Sequence, residues 1–280
     1  MYIYRSRFLT RGEVWFDEEP KNARVDWVYH RQRSNPLAGS RWKHFYTRVV
    51  DLRKSPAELF AELDERTARK ITEAQEKDGL RWEYCDPKDD RLMDEVEGMW
   101  NEFAVAQKTP MLERAWLDRM NEAGALDLRA ARDKAGMILG YHLVLLTPGR
   151  ARQLIAISPY RPAPSVAWRN GVSRANCFIH WKNFLAYQSR GIPCFDFGGW
   201  YTGSTDIRLL GMNAFKGSFG GKVVREYDCE QPVTVKGRVL LAAARMLDRC
   251  RQMRARTSSR SKETIHGTQA EERNISPALR

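Results

Sequence analysis

The sequence predicts an α/β fold of the α+β kind, in which helices flank a mixed, mostly antiparallel central sheet. The observations that predict it are short alternating runs at the start of the chain, helix-like periodicity after them, and further strand-like and helix-like segments beyond. The predicted order is strands, helices, a strand meander, a helix, a strand, a glycine-rich loop, a strand and a helix. A sheet of mixed direction with helices on its faces accommodates this order.

The first 50 residues mix aromatic, valine and charged residues in short runs: "IYRSRF", "EVWF", "VDWVYH" and "HFYTRVV". These runs predict strands. We expect residues 1–46 to form N-terminal strands that pack on a main domain spanning residues 47–253. Residues 254–280 are polar and lack periodicity, and they continue an arginine-rich segment, so we expect a basic, disordered tail there.

A helix is predicted directly after these strands. Ser55 is suited to the N-cap, Pro56 to the first helical position, and Glu58 completes a capping box. Apolar residues recur on one face of the segment that follows, and Gly79 can supply the left-handed residue that ends a helix. We therefore expect one continuous helix from Pro56 to Gly79.

Two more helices are expected after "LRWEYC", which predicts a strand. The second helix begins near Asp89 or Asp90, because a buried stripe of helical spacing follows those residues. Thr109 and Pro110 predict the start of a third helix, which runs to Gly124.

Strand-like periodicity returns between Ala125 and Ile157. Turn residues separate three runs, "ALDLRAAR", "GMILGYHLVLLT" and "RARQLIAIS", which predict an antiparallel meander. Next comes a helix from about Ser173 to Arg190 with Trp181 facing inward. The remaining segments predict a strand ending in a glycine turn ("PCFDFGG"), a loop, another strand ("GKVVREYD") and a last helix ("GRVLLAAARMLDRCRQM").

Composition indicates which partners, which kinds of cysteine site and which cellular compartment are expected for this chain of 280 residues. Its net charge of +12 fits a soluble protein with a basic tail, or an acidic partner such as nucleic acid, a phosphorylated cofactor or anionic lipid. The five cysteines are scattered without C-x-x-C spacing, which predicts neither a zinc site nor a disulfide framework. The longest apolar run, "MILGYHLVLL", is too short to span a membrane, and the N-terminus does not resemble a signal peptide. We expect a cytoplasmic protein.

Seven of the 19 glycines fall between Phe195 and Asp228, with Lys216 in the middle. A phosphate-binding P-loop is excluded, because Lys216 stands where its first glycine is required and Val223 where Ser or Thr is required. No dinucleotide-binding fingerprint begins at Gly198. Glycines allow the backbone to approach a ligand closely, and a lysine among them can stabilise developing negative charge. The alternative is two tight hairpin turns and a solvated lysine.

Other titratable residues offer weaker candidates for a site. His180 on the predicted helix and His142 on a predicted strand fit structural roles better than catalytic ones. Asp196 precedes the Gly198 turn and is expected to bind its amides. Asp206 and Glu226 are possible proton acceptors, and the sequence does not choose between them.

Two glycine motifs together resemble the FemAB-like branch of the GNAT acyltransferase superfamily. They are "GIPCFDFGG" and, after a loop, "FKGSFGG" followed by "VREY". Two upstream patterns are similar to those of the family: Arg66 with "RKITEA", and the helix carrying Asn176 and Trp181. The resemblance covers roughly residues Thr47 to Thr234.

The resemblance implies a single GNAT-like domain over residues 47–253, with splayed central strands that hold an acyl donor. It implies transfer of an acyl or aminoacyl group to an amine, with acyl-CoA or aminoacyl-tRNA as co-substrate and a small molecule or peptidoglycan precursor as acceptor. Neither a metal nor a tightly bound cofactor is expected. Phe215 and Lys216 take the catalytic positions, and the expected substrate- and donor-binding residues are Gly198, Gly199, Trp200, Gly220, Gly221, Asn176 and Asp196.

A second hypothesis is a non-catalytic nucleic-acid-binding protein on a degenerate GNAT scaffold. Such a protein would use the arginine-rich tail for phosphate contacts, which makes affinity strongly dependent on salt.

Overall fold

The computed structural model describes residues 1–6, 9–20, 24–159, 165–243 and 246. The strands are β1 (Tyr2–Ser6), β2 (Leu9–Trp15), β3 (Trp27–Arg33), β4 (Arg41–Asp51), β5 (Arg81–Cys85), β6 (Leu126–Arg132), β7 (Ile138–Thr147), β8 (Arg150–Ile157), β9 (Cys194–Gly199) and β10 (Lys222–Pro232). The helices are α1 (Pro56–Ala61), α2 (Glu65–Glu76), α3 (Asp90–Gln107), α4 (Arg114–Glu122), α5 (Val166–Ser189) and α6 (Ile207–Gly217). Residues 235–243 are also helical.

The ten strands form one sheet in the order β1-β2-β3-β10-β4-β9-β8-β7-β6-β5. Neighbouring strands are antiparallel except for the pairs β2–β3 and β8–β9, which are parallel. This confirms the predicted mixed, mostly antiparallel sheet, and β6, β7 and β8 are the predicted antiparallel meander. The N-terminal strands β1 to β3 join the same sheet through the pairing of β3 with β10.

Helices pack on both faces of the sheet. On one face, α3 and α4 cover β6 to β8, and on the other face α1, α2 and α5 cover β4, β7 and β9. Alternate residues of β7 serve the two cores: Leu143 and Leu145 face α3 and α4, while Val144 faces α5. Trp181 of α5 is 7% exposed and packs edge-on against Phe60. The predicted inward position of Trp181 is confirmed.

The prediction of one continuous helix from Pro56 to Gly79 is wrong. The capping box of Ser55 and Glu58 is present, but α1 ends at Ala61 and α2 begins at Glu65. Asp64 separates them, because its side chain accepts a hydrogen bond from the Arg66 amide and so caps a new helix.

Two predicted helix starts also need correction. The chain does not enter α4 at Thr109–Pro110: Trp100 donates a hydrogen bond to the Pro110 carbonyl and Leu112 donates one to Asn101, so this segment folds back on α3. Helix α5 begins seven residues before Ser173, because the Ser165 side chain accepts a hydrogen bond from the Trp168 amide.

The glycine-rich loop predicted around Lys216 is a helix, α6. The Asp206 side chain accepts hydrogen bonds from the Arg208 and Leu209 amides and begins this helix. Gly211 lies inside the helix at an exposed position. High glycine content indicated a loop, but one strong N-cap outweighed the modest cost of a glycine within a helix.

None of the described helices has the length and apolar character needed to cross a bilayer. The expected tail, residues 254–280, lies outside the described residues, as does the end of the last predicted helix.

Candidate active site

The two central parallel strands separate and leave a cavity between them. Strands β8 and β9 pair only through Ala151 with Phe195 and Arg152 with Asp196. The pairing of β7 with β8 shifts register between Leu143 and Val144, so β8 carries an extra residue at this point. Beyond the paired residues a cavity of about 560 Å³ opens. Its lining comes from β8, β9, α3, α5 and α6: Trp100, Phe103, Arg152, Gln153, Leu154, Ala156, Asn176, His180, Phe197, Gly198, Gly199, Arg208, Gly211, Met212, Phe215 and Lys216.

Lys216 reaches this cavity from the last turn of α6. Its side chain is buried, and Nζ donates hydrogen bonds to the carbonyl oxygens of Gly199 at 2.5 Å and Gly198 at 3.4 Å. The sequence predicted a loop around Lys216, near the Gly198 turn. The prediction of a loop is wrong, but the lysine does contact the carbonyls of that turn.

Burial lowers the pKa of Lys216 from 10.5 to about 8, because the charged ammonium has lost much of its hydration. The Arg152 cation lowers this pKa further, whereas Asp196 raises it. At neutral pH the side chain is still mostly protonated, so a partly dehydrated cation faces the cavity.

The turn that holds Lys216 is built on Asp196. Gly198 has a φ of +75°, and its amide donates to the Asp196 carboxylate at 2.7 Å. Thr47 and Gln32 donate hydrogen bonds to the same carboxylate. Asp196 therefore binds the turn's amide as the sequence predicted. It is fully buried and is not among the described residues that line the cavity.

Gly198 also allows close approach of another residue. A Cβ atom there would lie 2.7 Å from Nη1 of Arg152, which is too close for an unstrained contact. The Arg152 guanidinium would have to shift for a larger residue, and the positive φ is the stronger reason that glycine is favoured at the position.

The second glycine turn lies elsewhere. Gly220 and Gly221 both have φ near +75°, and a Cβ on Gly221 would lie 2.3 Å from the Val49 carbonyl oxygen. They line a separate groove at the other end of β9. The two glycine turns therefore do not line the same cavity, although Phe215 and Lys216 of the second motif do line the cavity beside Gly198.

Trp200 follows β9 but does not line the cavity. The Arg48 guanidinium lies 5.2 Å from the centre of its ring and donates to the Gly220 carbonyl at 2.6 Å and the Gly217 carbonyl at 3.4 Å. Arg48 thus satisfies carbonyl groups at the end of α6 and holds Trp200 against that helix.

A chain of hydrogen-bonded side chains, of which Asn183 and His142 are buried, supports the cavity wall. The Trp82 indole can only donate, and it donates to Oδ1 of Asn183 at 2.9 Å. The amide nitrogen of Asn183 therefore faces Nδ1 of His142, so that His142 carries its hydrogen on Nε2 and donates to Oδ1 of Asn176 at 2.8 Å. Burial lowers the pKa of His142 to about 4 and lowers that of His180 well below its usual value. Both rings are neutral at neutral pH.

Asn176 lies in the middle of α5 rather than at its start, but it does line the cavity. Asp206 and Glu226 do not. Asp206 caps α6, and the buried Glu226 accepts hydrogen bonds from Arg150 at 2.7 Å and Gln32 at 2.8 Å.

Several residues that line the cavity could not be identified as site residues from the sequence. Arg152 and Gln153 lie on β8 within an ordinary strand pattern. Arg208 lines the cavity and donates to Gln107 at 2.8 Å, which joins α6 to α3. Only strand register and helix packing bring these residues to Lys216.

The cavity is suited to negative charge. Its described lining holds three cations, Arg152, Arg208 and Lys216, and no carboxylate, and most of the other lining residues are apolar. Within the described part of the chain, no group of His, Cys, Asp and Glu residues is arranged to hold a metal ion. Such a site can bind an anionic or phosphate-bearing ligand and can stabilise an oxyanion.

No protein-family model and no curated protein matches the sequence. Among solved structures, the fold is similar to that of FemX, with a TM-score of 0.53 and 14% identity over 65% of this chain and 61% of FemX. The chain thus spans less than two thirds of that protein. Two lysylphosphatidylglycerol synthetase structures also match, each with a TM-score of 0.49. The C-terminal domain from Agrobacterium fabrum is 18% identical over 79% of this chain and 72% of that one, and L-PGS from Bacillus licheniformis is 12% identical over 84% of both. The fold is therefore similar to that of FemX, as the resemblance of the sequence motifs to FemAB-like proteins implied.

Proposed function

We propose that this protein is an acyltransferase that moves an acyl or aminoacyl group from an activated donor to an amine. The observation that carries the proposal is the placement of Lys216, a buried cation in a cavity between two separating parallel strands. The similarity of the fold to FemX supports the same reaction class.

In the proposed step, the amine nitrogen attacks the carbonyl carbon of the donor. A C–N bond forms, the carbonyl oxygen becomes an oxyanion, and the bond to the donor's thiol or hydroxyl group then breaks. The proton lost by the amine neutralises the leaving group. The Lys216 ammonium stabilises the oxyanion more than the neutral carbonyl, so it lowers the barrier.

Phe215 supports Lys216 by keeping its surroundings apolar. It lines the cavity, and its ring centre lies 5.5 Å from that of His180 and 5.3 Å from that of Phe219. Charge interactions are stronger where water is excluded, so these rings increase the effect of the lysine.

The donor we propose is acyl-CoA or aminoacyl-tRNA, and the acceptor is the amine of a small molecule or a cell-envelope precursor. The three cavity cations suit a donor that carries phosphate groups. Both donors occur in the cytoplasm, where we place the reaction.

The test measures transfer from radiolabelled acetyl-CoA and from radiolabelled alanyl-tRNA to a panel of primary amines, including lysine and glucosamine. We expect one donor to be consumed by the parent protein and far less by Lys216→Met. Lys222→Met, which changes an exposed lysine on β10, is the matched control and keeps its activity. Consumption of neither donor, together with no binding of either, would contradict the proposal.

A further inference from the structure

The side-chain amide of Gln153 lies in the cavity wall beside His180. Gln153 lies on β8 beside the register shift and lines the cavity. Its amide oxygen lies 2.8 Å from Nε2 of His180. A carbonyl oxygen only accepts hydrogen bonds, so this contact is satisfied only if Nε2 carries a hydrogen. The protonation of His180 therefore decides which end of the Gln153 amide faces the cavity.

The hydrogen of neutral His180 lies on its other ring nitrogen. Nδ1 is 2.8 Å from the backbone carbonyl oxygen of Asn176, which can only accept, so Nδ1 is the donor. A second hydrogen on Nε2 would make the ring a cation. The ring is fully buried and lies near the Lys216 ammonium, and both conditions disfavour that cation. Nε2 of His180 is therefore an acceptor.

An acceptor at Nε2 requires the NH₂ end of the Gln153 amide in front of it. The two ends of a glutamine amide have nearly the same shape, so a half-turn of the amide exchanges them at little steric cost. After that half-turn the NH₂ group donates to His180, and the oxygen points away from the ring. No other hydrogen bond to this amide is found among the described residues, so the oxygen is open to the cavity.

An open acceptor is unusual in this cavity. The charged groups of its described lining, Arg152, Arg208 and Lys216, are all donors. The side-chain oxygen of Asn176 is already engaged by His142. Gln153 thus supplies an uncharged acceptor among cations, which suits a neutral amine that must present N–H groups.

We propose that Gln153 binds the acceptor substrate, its side-chain oxygen accepting a hydrogen bond from the attacking amine, and that His180 is the positioning residue that turns this oxygen toward the cavity. This inference rests on the proposed function. The hydrogen bond directs the nitrogen lone pair away from Gln153, which leaves the lone pair available to attack the donor. It strengthens as the nitrogen becomes positive in the intermediate, because hydrogen bonds to charged groups are stronger.

The first experiment tests the orientation without any assay of activity. Nitrogen-15 NMR of the full-length protein at neutral pH reports which ring nitrogen of His180 carries hydrogen. We expect hydrogen on Nδ1 only, with the Gln153 amide protons coupled to Nε2, and a shift of the Gln153 amide signals when hydroxylamine, an uncharged amine at this pH, is added. Hydrogen on Nε2, or unmoved Gln153 signals, overturns the proposal.

The second experiment measures turnover with hydroxylamine as acceptor and whichever donor supports the reaction. Gln153→Met keeps the length of the side chain and removes the acceptor. We expect kcat/KM for hydroxylamine to fall about 10- to 100-fold, the usual effect of losing one hydrogen bond to a charged group, while KM for the donor is unchanged. An unchanged kcat/KM overturns the proposal.

Gln188→Met is the matched control. Gln188 lies at the end of α5, donates to the Leu52 carbonyl at 2.9 Å, and is not among the residues lining the cavity. Its replacement leaves kcat/KM unchanged. If the parent protein neither consumes nor binds either donor, the proposed function fails, and the NMR experiment still decides the orientation and amine contact of Gln153.

Discussion

Replacing Lys216 by methionine tests the proposed chemistry most directly. Methionine keeps most of the length and apolar volume of lysine and removes its charge. Loss of one preorganised donor to an oxyanion typically lowers kcat by about 10²- to 10³-fold, or roughly 3–4 kcal/mol. We expect a decrease of that size, measured as transfer of the labelled acyl group under saturating donor.

The effect on stability is expected to be small because two terms oppose each other. Lowering the pKa of Lys216 from 10.5 to about 8 means that the charged form costs the folded protein about 3 kcal/mol at neutral pH. Methionine removes that cost. It also leaves the Gly199 carbonyl without this donor, at roughly 1–3 kcal/mol, whereas the Gly198 carbonyl still accepts a hydrogen bond from Thr47. Thermal unfolding of the variant should therefore have nearly the parent's midpoint.

The pH dependence follows from the same lysine. An oxyanion-stabilising ammonium must be charged, so activity should fall as pH rises through about 8. The unfolded chain binds more protons than the folded one between pH 8 and 10.5, so the contribution of Lys216 to stability rises with pH across that window. Lys216→Met should remove this pH dependence of activity and this pH dependence of stability.

Two results would refute this reasoning. Full activity of Lys216→Met alongside the Lys222→Met control would show that the lysine only supports the Gly198 turn. With hydroxylamine as the acceptor, which is already uncharged at neutral pH, activity that rises through pH 8 and disappears below it would show that neutral Lys216 acts as a base instead of a cation.

Three further outcomes are expected. Trp181→Ala should lower the free energy of unfolding by about 3–5 kcal/mol in denaturant titrations, because it empties a core position packed on Phe60; a loss below 1 kcal/mol would contradict this packing. Gly198→Ala should reduce stability, since its φ is +75°, and should reduce activity, since the new Cβ would displace the Arg152 guanidinium that lines the cavity; parent-like unfolding and turnover would be the contrary result. Deleting Arg251–Arg280 should leave turnover intact, whereas the nucleic-acid-binding hypothesis requires loss of affinity for nucleic acid and predicts no enzyme.

Local rules in the sequence determined most of the elements. Alternating patterns predicted the strands correctly, and the capping box at Ser55 and the amide-binding role of Asp196 could also be predicted, because each depends on residues adjacent in the chain. The errors also arose locally, where an N-capping residue outweighed another signal in the same segment. Asp64 begins a new helix, but the apolar periodicity continues past it, so one helix was predicted where there are two. Asp206 begins α6, but the high glycine content of that segment predicted a loop.

The candidate site itself depends on long-range geometry. The motifs indicated Lys216 and Gly198 as neighbours, but Gln153, His180 and Arg152 come to the same cavity only because β8 and β9 pair at two positions and then separate. Strand register and helix packing set those distances, and both depend on the balance of many contacts between residues far apart in the chain. Residue types by themselves indicated which side chains could take part in the proposed chemistry, and the tertiary structure decided which of them meet.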